Sequence, residues 1–119
     1  MITNFERETH ELNHYELETL LPVLCIGLNR KFGKLNAITN KDICQSMKQA
    51  GYKLTDARLR KIIHHIRVNN LIPLLIATSK GYYISNDENE INQYIKSLSE
   101  RINSIQEIKD ALRYQLITK

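Results

Sequence analysis

Apolar positions recur at helical spacing in three stretches of this 119-residue chain, give way to two short β-rich runs, and return as one long seam. Leu17, Leu20, Leu21, Leu24, Ile26, Leu28 and Phe32 follow Asn13, a residue type suited to capping a helix start, and Gly33 follows them. This spacing predicts a first helix over 15–32, with Pro22 as the kink or the true beginning, because proline has no N–H to donate. Residues 35–39 read as a short extended link. Thr39-Asn40-Lys41-Asp42 has the Thr-x-x-acid form of a helix start, so a second helix is expected over 41–50, closed by Gly51. Thr55 caps a third, over 56–69, with Asp56 in its first turn where the helix dipole favours an acid. The runs 71–77 and 81–85, separated by Thr78-Ser79-Lys80-Gly81, read as a β-hairpin whose Pro73 must lie on an edge or near a strand start. Ile91, Ile95, Leu98, Ile102, Ile105, Leu112 and Leu116 then step by threes and fours, interrupted by Lys109, and predict one long C-terminal helix.

Helix, link, helix, turn, helix, hairpin is the element order of a winged helix-turn-helix. The expected fold is therefore mostly α with a small β-hairpin wing, plus the long C-terminal helix. The expected organisation is an N-terminal arm over 1–14, poorly ordered; a winged-helix domain over 15–86; and the helix over 87–119. One domain is also what this length holds.

Charge sharpens the picture by its distribution. Residues 30–80 hold eleven of the seventeen Lys and Arg against only Asp42 and Asp56, whereas the segments on either side are net acidic. A basic block between acidic flanks is the electrostatic footprint expected of a polyanion partner. On a wheel of about 100° per residue, Leu59, Ile62, Ile63 and Ile66 form the core stripe of the third helix. Ala57, Arg58, Lys61, His64, His65 and Val68 point the other way, with Arg60 and Arg67 at the border.

Such a face suits the major groove of double-stranded DNA. Arg58 and Lys61 can reach guanine O6 and N7, Ala57 lets the backbone approach base edges or a thymine methyl, and His64 and His65 supply hydrogen-bond donors. Arg60, Arg67 and, at the hairpin tip, Lys80 are the expected phosphate contacts. Thr39, Lys41 and Thr55 at the starts of two helices can add hydroxyl, charge and backbone N–H contacts, although capping alone accounts for both threonines.

The segment Ile62-Ile63-His64-His65-Ile66-Arg67-Val68-Asn69-Asn70-Leu71-Ile72-Pro73-Leu74-Leu75-Ile76-Ala77, followed by Lys80-Gly81-Tyr82-Tyr83-Ile84, resembles the small winged helix-turn-helix DNA-binding proteins of bacteria and their phages. The likeness covers roughly residues 35–98. It implies DNA binding in transcriptional control or in phage or plasmid replication. Winged helices also serve as protein-interaction modules, so docking within a phage or replication complex is the alternative. Asn70 departs from the pattern, standing where many such domains carry a turn glycine. Of the adjacent Tyr82 and Tyr83, alternation along a strand buries one and turns the other outward.

His10-Glu11-Leu12-Asn13-His14 matches the letters of the H-E-x-x-H zinc signature. Its context does not: Asn13 reads as a helix cap, and no third ligand stands at a recognisable spacing. Neither a catalytic residue nor a metal site, cofactor or small-molecule substrate is expected. Cys25 and Cys44 read as reduced structural thiols of a cytoplasmic protein. The longest apolar stretch is about half the twenty residues a membrane helix needs. The C-terminal seam predicts a homodimer through Ile91, Ile95, Leu98, Ile102 and Ile105, with packing onto the first helix as the other option. A homodimer would present two reading helices to a palindromic site.

Overall fold

The computed structural model describes residues 11–119, and the chain falls into two compact units that divide between Asn86 and Asp87. In the first unit the N-terminal helix begins with a capping box. The Asn13 N–H donates to Glu16 Oε1 at 2.8 Å, and the Glu16 N–H donates to Asn13 Oδ1 at 2.8 Å, so two N–H groups of the helix start are satisfied reciprocally. The helix then takes one wide π turn, Glu16–Leu20, before regular α1 (Leu21–Leu28). Pro22 explains the widening: without an N–H it cannot close the α-helical bond to Glu18, and the Leu21 N–H reaches back five residues to the Glu16 carbonyl. The helix passes through Pro22 instead of starting there.

It also ends four residues short of Phe32, which corrects the expected boundary. Gly33 does not cap it. At φ 80° Gly33 precedes a 3-10 turn, Lys34–Asn36, and its N–H donates to the Ile84 carbonyl, while the Ile84 N–H donates to Lys31. The chain after α1 is thus pulled into pairing with the wing.

Helices α2 (Asn40–Gln49) and α3 (Asp56–Val68) form the helix-turn-helix. Both start where expected, with Thr39 Oγ1 accepting from the Asp42 N–H and Thr55 Oγ1 from the Arg58 N–H, each at 3.2 Å. Both end in the Schellman pattern, in which the second residue past the cap bonds back over a full turn: Tyr52 N–H to Met47 carbonyl, and Leu71 N–H to Ile66 carbonyl. The left-handed residue each motif needs is Gly51 at φ 91° and Asn70 at φ 57°. Asparagine fills the turn-glycine position because it tolerates that backbone better than other side chains.

The wing is an antiparallel hairpin of β1 (Leu75–Thr78) and β2 (Gly81–Ile84), with Leu75 opposite Ile84 and Thr78 opposite Gly81. The first strand begins four residues later than its β-branched composition predicts. Pro73 has no N–H for a ladder and Leu74 sits at φ 62°, outside extended backbone, so pairing starts only beyond them. On its other edge β2 pairs with Ile38: the Ile38 N–H donates to Tyr82 at 3.0 Å and the Tyr82 N–H to Ile38 at 2.8 Å. This close approach demands Gly81, whose φ is 117° and where a Cβ would overlap the Ile38 carbonyl.

Leu20, Leu24 and Leu28, Ile43 and Met47, Leu59, Ile62, Ile63 and Ile66, and Ile72, Leu75, Tyr82 and Ile84 make the core, drawn from the three helices, the hairpin and the link before it. Tyr83, opposite Ile76 across the hairpin, is buried as well, so neither tyrosine of the pair faces solvent. These elements make a winged helix-turn-helix, and the chain carries a long C-terminal helix besides. That helix, α4 (Glu88–Ile117), is the second unit, with Asp87 Oδ1 accepting from the Asn89 and Glu90 N–H groups at its start. Among the described residues no helix is long and apolar enough to cross a membrane.

Candidate nucleic-acid interface

The face of α3 opposite its core stripe is built around Ala57, Arg60, His64 and Val68, all exposed, with Lys61, His65 and Arg67 half-buried beside them. Burying Leu59, Ile62, Ile63 and Ile66 completely fixes the helix about its axis, and that leaves the small and cationic residues turned outward. Arg60 lies 3.0 Å from Asp56 one turn earlier, an exposed pair that holds the side chain along the helix and is worth little in stability. The His65 carbonyl accepts from the Asn69 side chain at 2.9 Å, and the His65 ring lies 3.3 Å from the same amide.

Arg58 departs from the expected position. Its Nε donates to Glu16 Oε2 at 2.7 Å, and its Nη2 donates to Glu16 Oε1 at 2.6 Å and to the Glu11 carbonyl at 2.8 Å. A guanidinium held by both oxygens of a buried carboxylate is a fixed strut between the N-terminal helix and the start of α3. On a wheel of about 100° per residue Arg58 in fact falls about 40° from Ile62, at the edge of the core stripe, and the outward face is carried by Ala57, Arg60, His64 and Val68.

Glu16 is the residue that sequence reasoning missed, and it is buried despite its charge. Burial by itself pushes its carboxyl up, but the bond from Arg58, the Asn13 N–H and the charge of Arg58 outweigh it and hold the carboxyl below the usual glutamate value. The available signal was Asn13-x-x-Glu16, the letters of a capping box. A neighbouring strut is the Tyr15 hydroxyl, which accepts from the Lys53 N–H at 3.2 Å. The N-terminal helix is thus tied at two points to the chain that begins α3.

The H-E-x-x-H letters have no common helical face. Residues 11–13 are not helical, Asn13 is the cap, His14 pairs with Glu18 at 2.9 Å, and His10 lies outside the described residues.

Thr39 and Thr55 serve as caps, and Lys41 is exposed on the first turn of α2. Lys80 is exposed at the tip of the wing, its N–H donating to Thr78 Oγ1 at 3.1 Å. The start of α2, the face of α3 and strand β2 of the wing meet at the Tyr82 phenol, one pair from the hairpin turn. Burial pushes its ionisation up, a bond with Asn40 and the charges of Arg60 and Arg67 oppose that, and Asp56 adds to it, so the hydroxyl stays protonated. Asn40 Oδ1 is buried there without a hydrogen-bond partner among the described residues. Burial also pushes the Cys25 and Cys44 thiols up, with the Asp56 charge adding at Cys44, which keeps both in the unreactive form. Comparison of the chain with protein-family models, curated proteins and solved structures gives no match.

Proposed function

We propose that this chain is a non-catalytic, double-stranded DNA-binding protein that reads the major groove with α3, in transcriptional control or in phage or plasmid replication. One observation carries the reading: the helix-turn-helix leaves outward a face of α3 in which small residues, Ala57 and Val68, alternate with Arg60, Lys61 and His64. A small residue near the helix start permits close approach, and cationic or donor side chains one turn on can address base edges. In this reading Lys61 and His64 contact bases, with His65 beside them, and Ala57 and Val68 meet thymine methyls. Arg60, Arg67, Lys41 and Lys80 face phosphates, helped by Thr39 and Thr55 at the two helix starts. Arg58 acts as a positioning residue through Glu16.

The C-terminal helix supports a second part of the reading, a homodimer. Ile95, Ile102 and Ile105 are 53%, 64% and 65% exposed, more apolar surface in a row than one helix leaves to water without a partner. Ile91 and Leu98 complete that seam. The test is selection of bound sites from random duplex DNA by the whole chain, beside a Lys61→Ala, His64→Ala variant. An enriched motif that the variant loses supports the reading. Equal retention of every duplex by both proteins, or binding by neither, overturns it.

A further inference from the structure

The seam of α4 does not end where the dimer reading above ends. Beyond Ile105 the helix presents an open apolar cleft lined by Ile105, Ile108, Leu112 and Leu116, with Lys109 and Arg113 on its rim. Ile108, Leu112 and Leu116 are 61%, 59% and 73% exposed. The two halves of the helix therefore offer similar apolar surface but opposite borders. The near half carries Asp87, Glu88, Glu90 and Glu100 against Lys96 and Arg101, with its acids concentrated at the start, and the far half carries Lys109, Arg113 and Lys119 against Glu107 and Asp110.

We infer that α4 pairs with α4 of a second copy in antiparallel orientation, the near half of each helix seated in the far-half cleft of the other. This rests on the homodimer part of the proposed function and is independent of the DNA part. Charge decides the direction. Parallel pairing in register puts Lys109 against Lys109 of the other copy in the seam, with an Arg113 on each side, and brings the two acidic starts together; both arrangements are repulsive. The reversed helix places Glu88 by Lys119, Ile91 by Leu116, Ile95 by Leu112, and Ile102 by Ile105. Lys109 then lies over Leu98, its stem covering apolar surface and its ammonium directed to water. Antiparallel helix dipoles also attract, whereas parallel ones repel.

The arrangement is tested by distances between spin labels in the full-length protein without DNA, on a Cys25→Ser, Cys44→Ser background. Labels go on Ser104→Cys in one sample and on Asn89→Cys in another. In the reversed pair, residue 104 lies near its own counterpart, so its labels fall within about 25 Å of each other, given helix axes about 10 Å apart. Residue 89 is displaced from its counterpart by 29 positions, about 44 Å at 1.5 Å per residue. A short 104 distance with a long 89 distance is the expected result. Short distances at both positions would mean a parallel pair, and no distance at 104 would mean that this face meets another kind of partner or none; either result overturns the inference. DNA binding by the unlabelled protein is read separately, so loss of one claim leaves the other standing.

Discussion

Glu16 and Arg58 show how a single contact sets what the reading helix presents. Removing the carboxylate charge by Glu16→Gln leaves a half-buried guanidinium without its counterion, and we expect a loss of roughly 2–3 kcal/mol in urea unfolding at neutral pH. The effect has a definite pH sign. Folding lowers the Glu16 carboxyl below its usual value, so its contribution is fully present above the ordinary glutamate range and disappears as the pH falls through the lowered folded value. The gap between wild type and Glu16→Gln should accordingly close on acidification, and a gap that persists in acid would show that the lost contact was not ionic. A second residue-scale expectation concerns glycine. Gly81→Ala meets the Ile38 backbone at positive φ and should cost about 2–3 kcal/mol. Gly51→Ala, also at positive φ but with open space around it, should cost only about 1 kcal/mol. Thermal unfolding of the two variants side by side checks the order. Neither the Glu16–Arg58 contact nor the Gly81 contact was legible in the sequence, since each depends on a partner tens of residues away, whereas the two threonine caps, like the Asn13–Glu16 capping box, depend on neighbours three residues on.

At the scale of elements, what was legible was local. The core stripe of α3 follows from the spacing of Leu59, Ile62, Ile63 and Ile66, all of which are buried. Ile66→Ala is expected to cost about 2–5 kcal/mol, read as a lower urea midpoint with little change in slope. Boundaries were illegible wherever tertiary pairing decides them. Apolar periodicity carries the first helix on to Phe32, yet the chain leaves α1 at Leu28, and residues 31–33 bond to Ile84. The β-branched run from Leu71 looks like strand, but Leu74 at positive φ delays it. Asn70 sits at φ 57° in the motif that ends α3, so Asn70→Val should destabilise the turn by about 1–2 kcal/mol while Asn70→Gly is nearly neutral, a contrast that chemical denaturation resolves.

For the molecule as a whole the decisive quantity is the charge distribution. Eight of the eleven cationic residues of the central region are carried by the helix-turn-helix and the wing, with Arg30, Lys31 and Lys34 in the chain between α1 and α2, and the element order that predicted a winged helix is the one the fold has. A wheel at about 100° per residue sets Arg58 about 40° from Ile62, at the edge of the core stripe, so its inward direction was recoverable; the acid that receives it on the neighbouring helix was not. The central claim, that the outward face of α3 engages duplex DNA, is tested most directly by titrating the full chain with duplex DNA at about 50 and 200 mM salt. Neutralising several phosphates releases counterions, so the account predicts binding at the lower salt that weakens at least tenfold at the higher, with a shallower slope for Arg60→Ala, Lys61→Ala. No binding at the lower salt, or binding indifferent to salt, would contradict it.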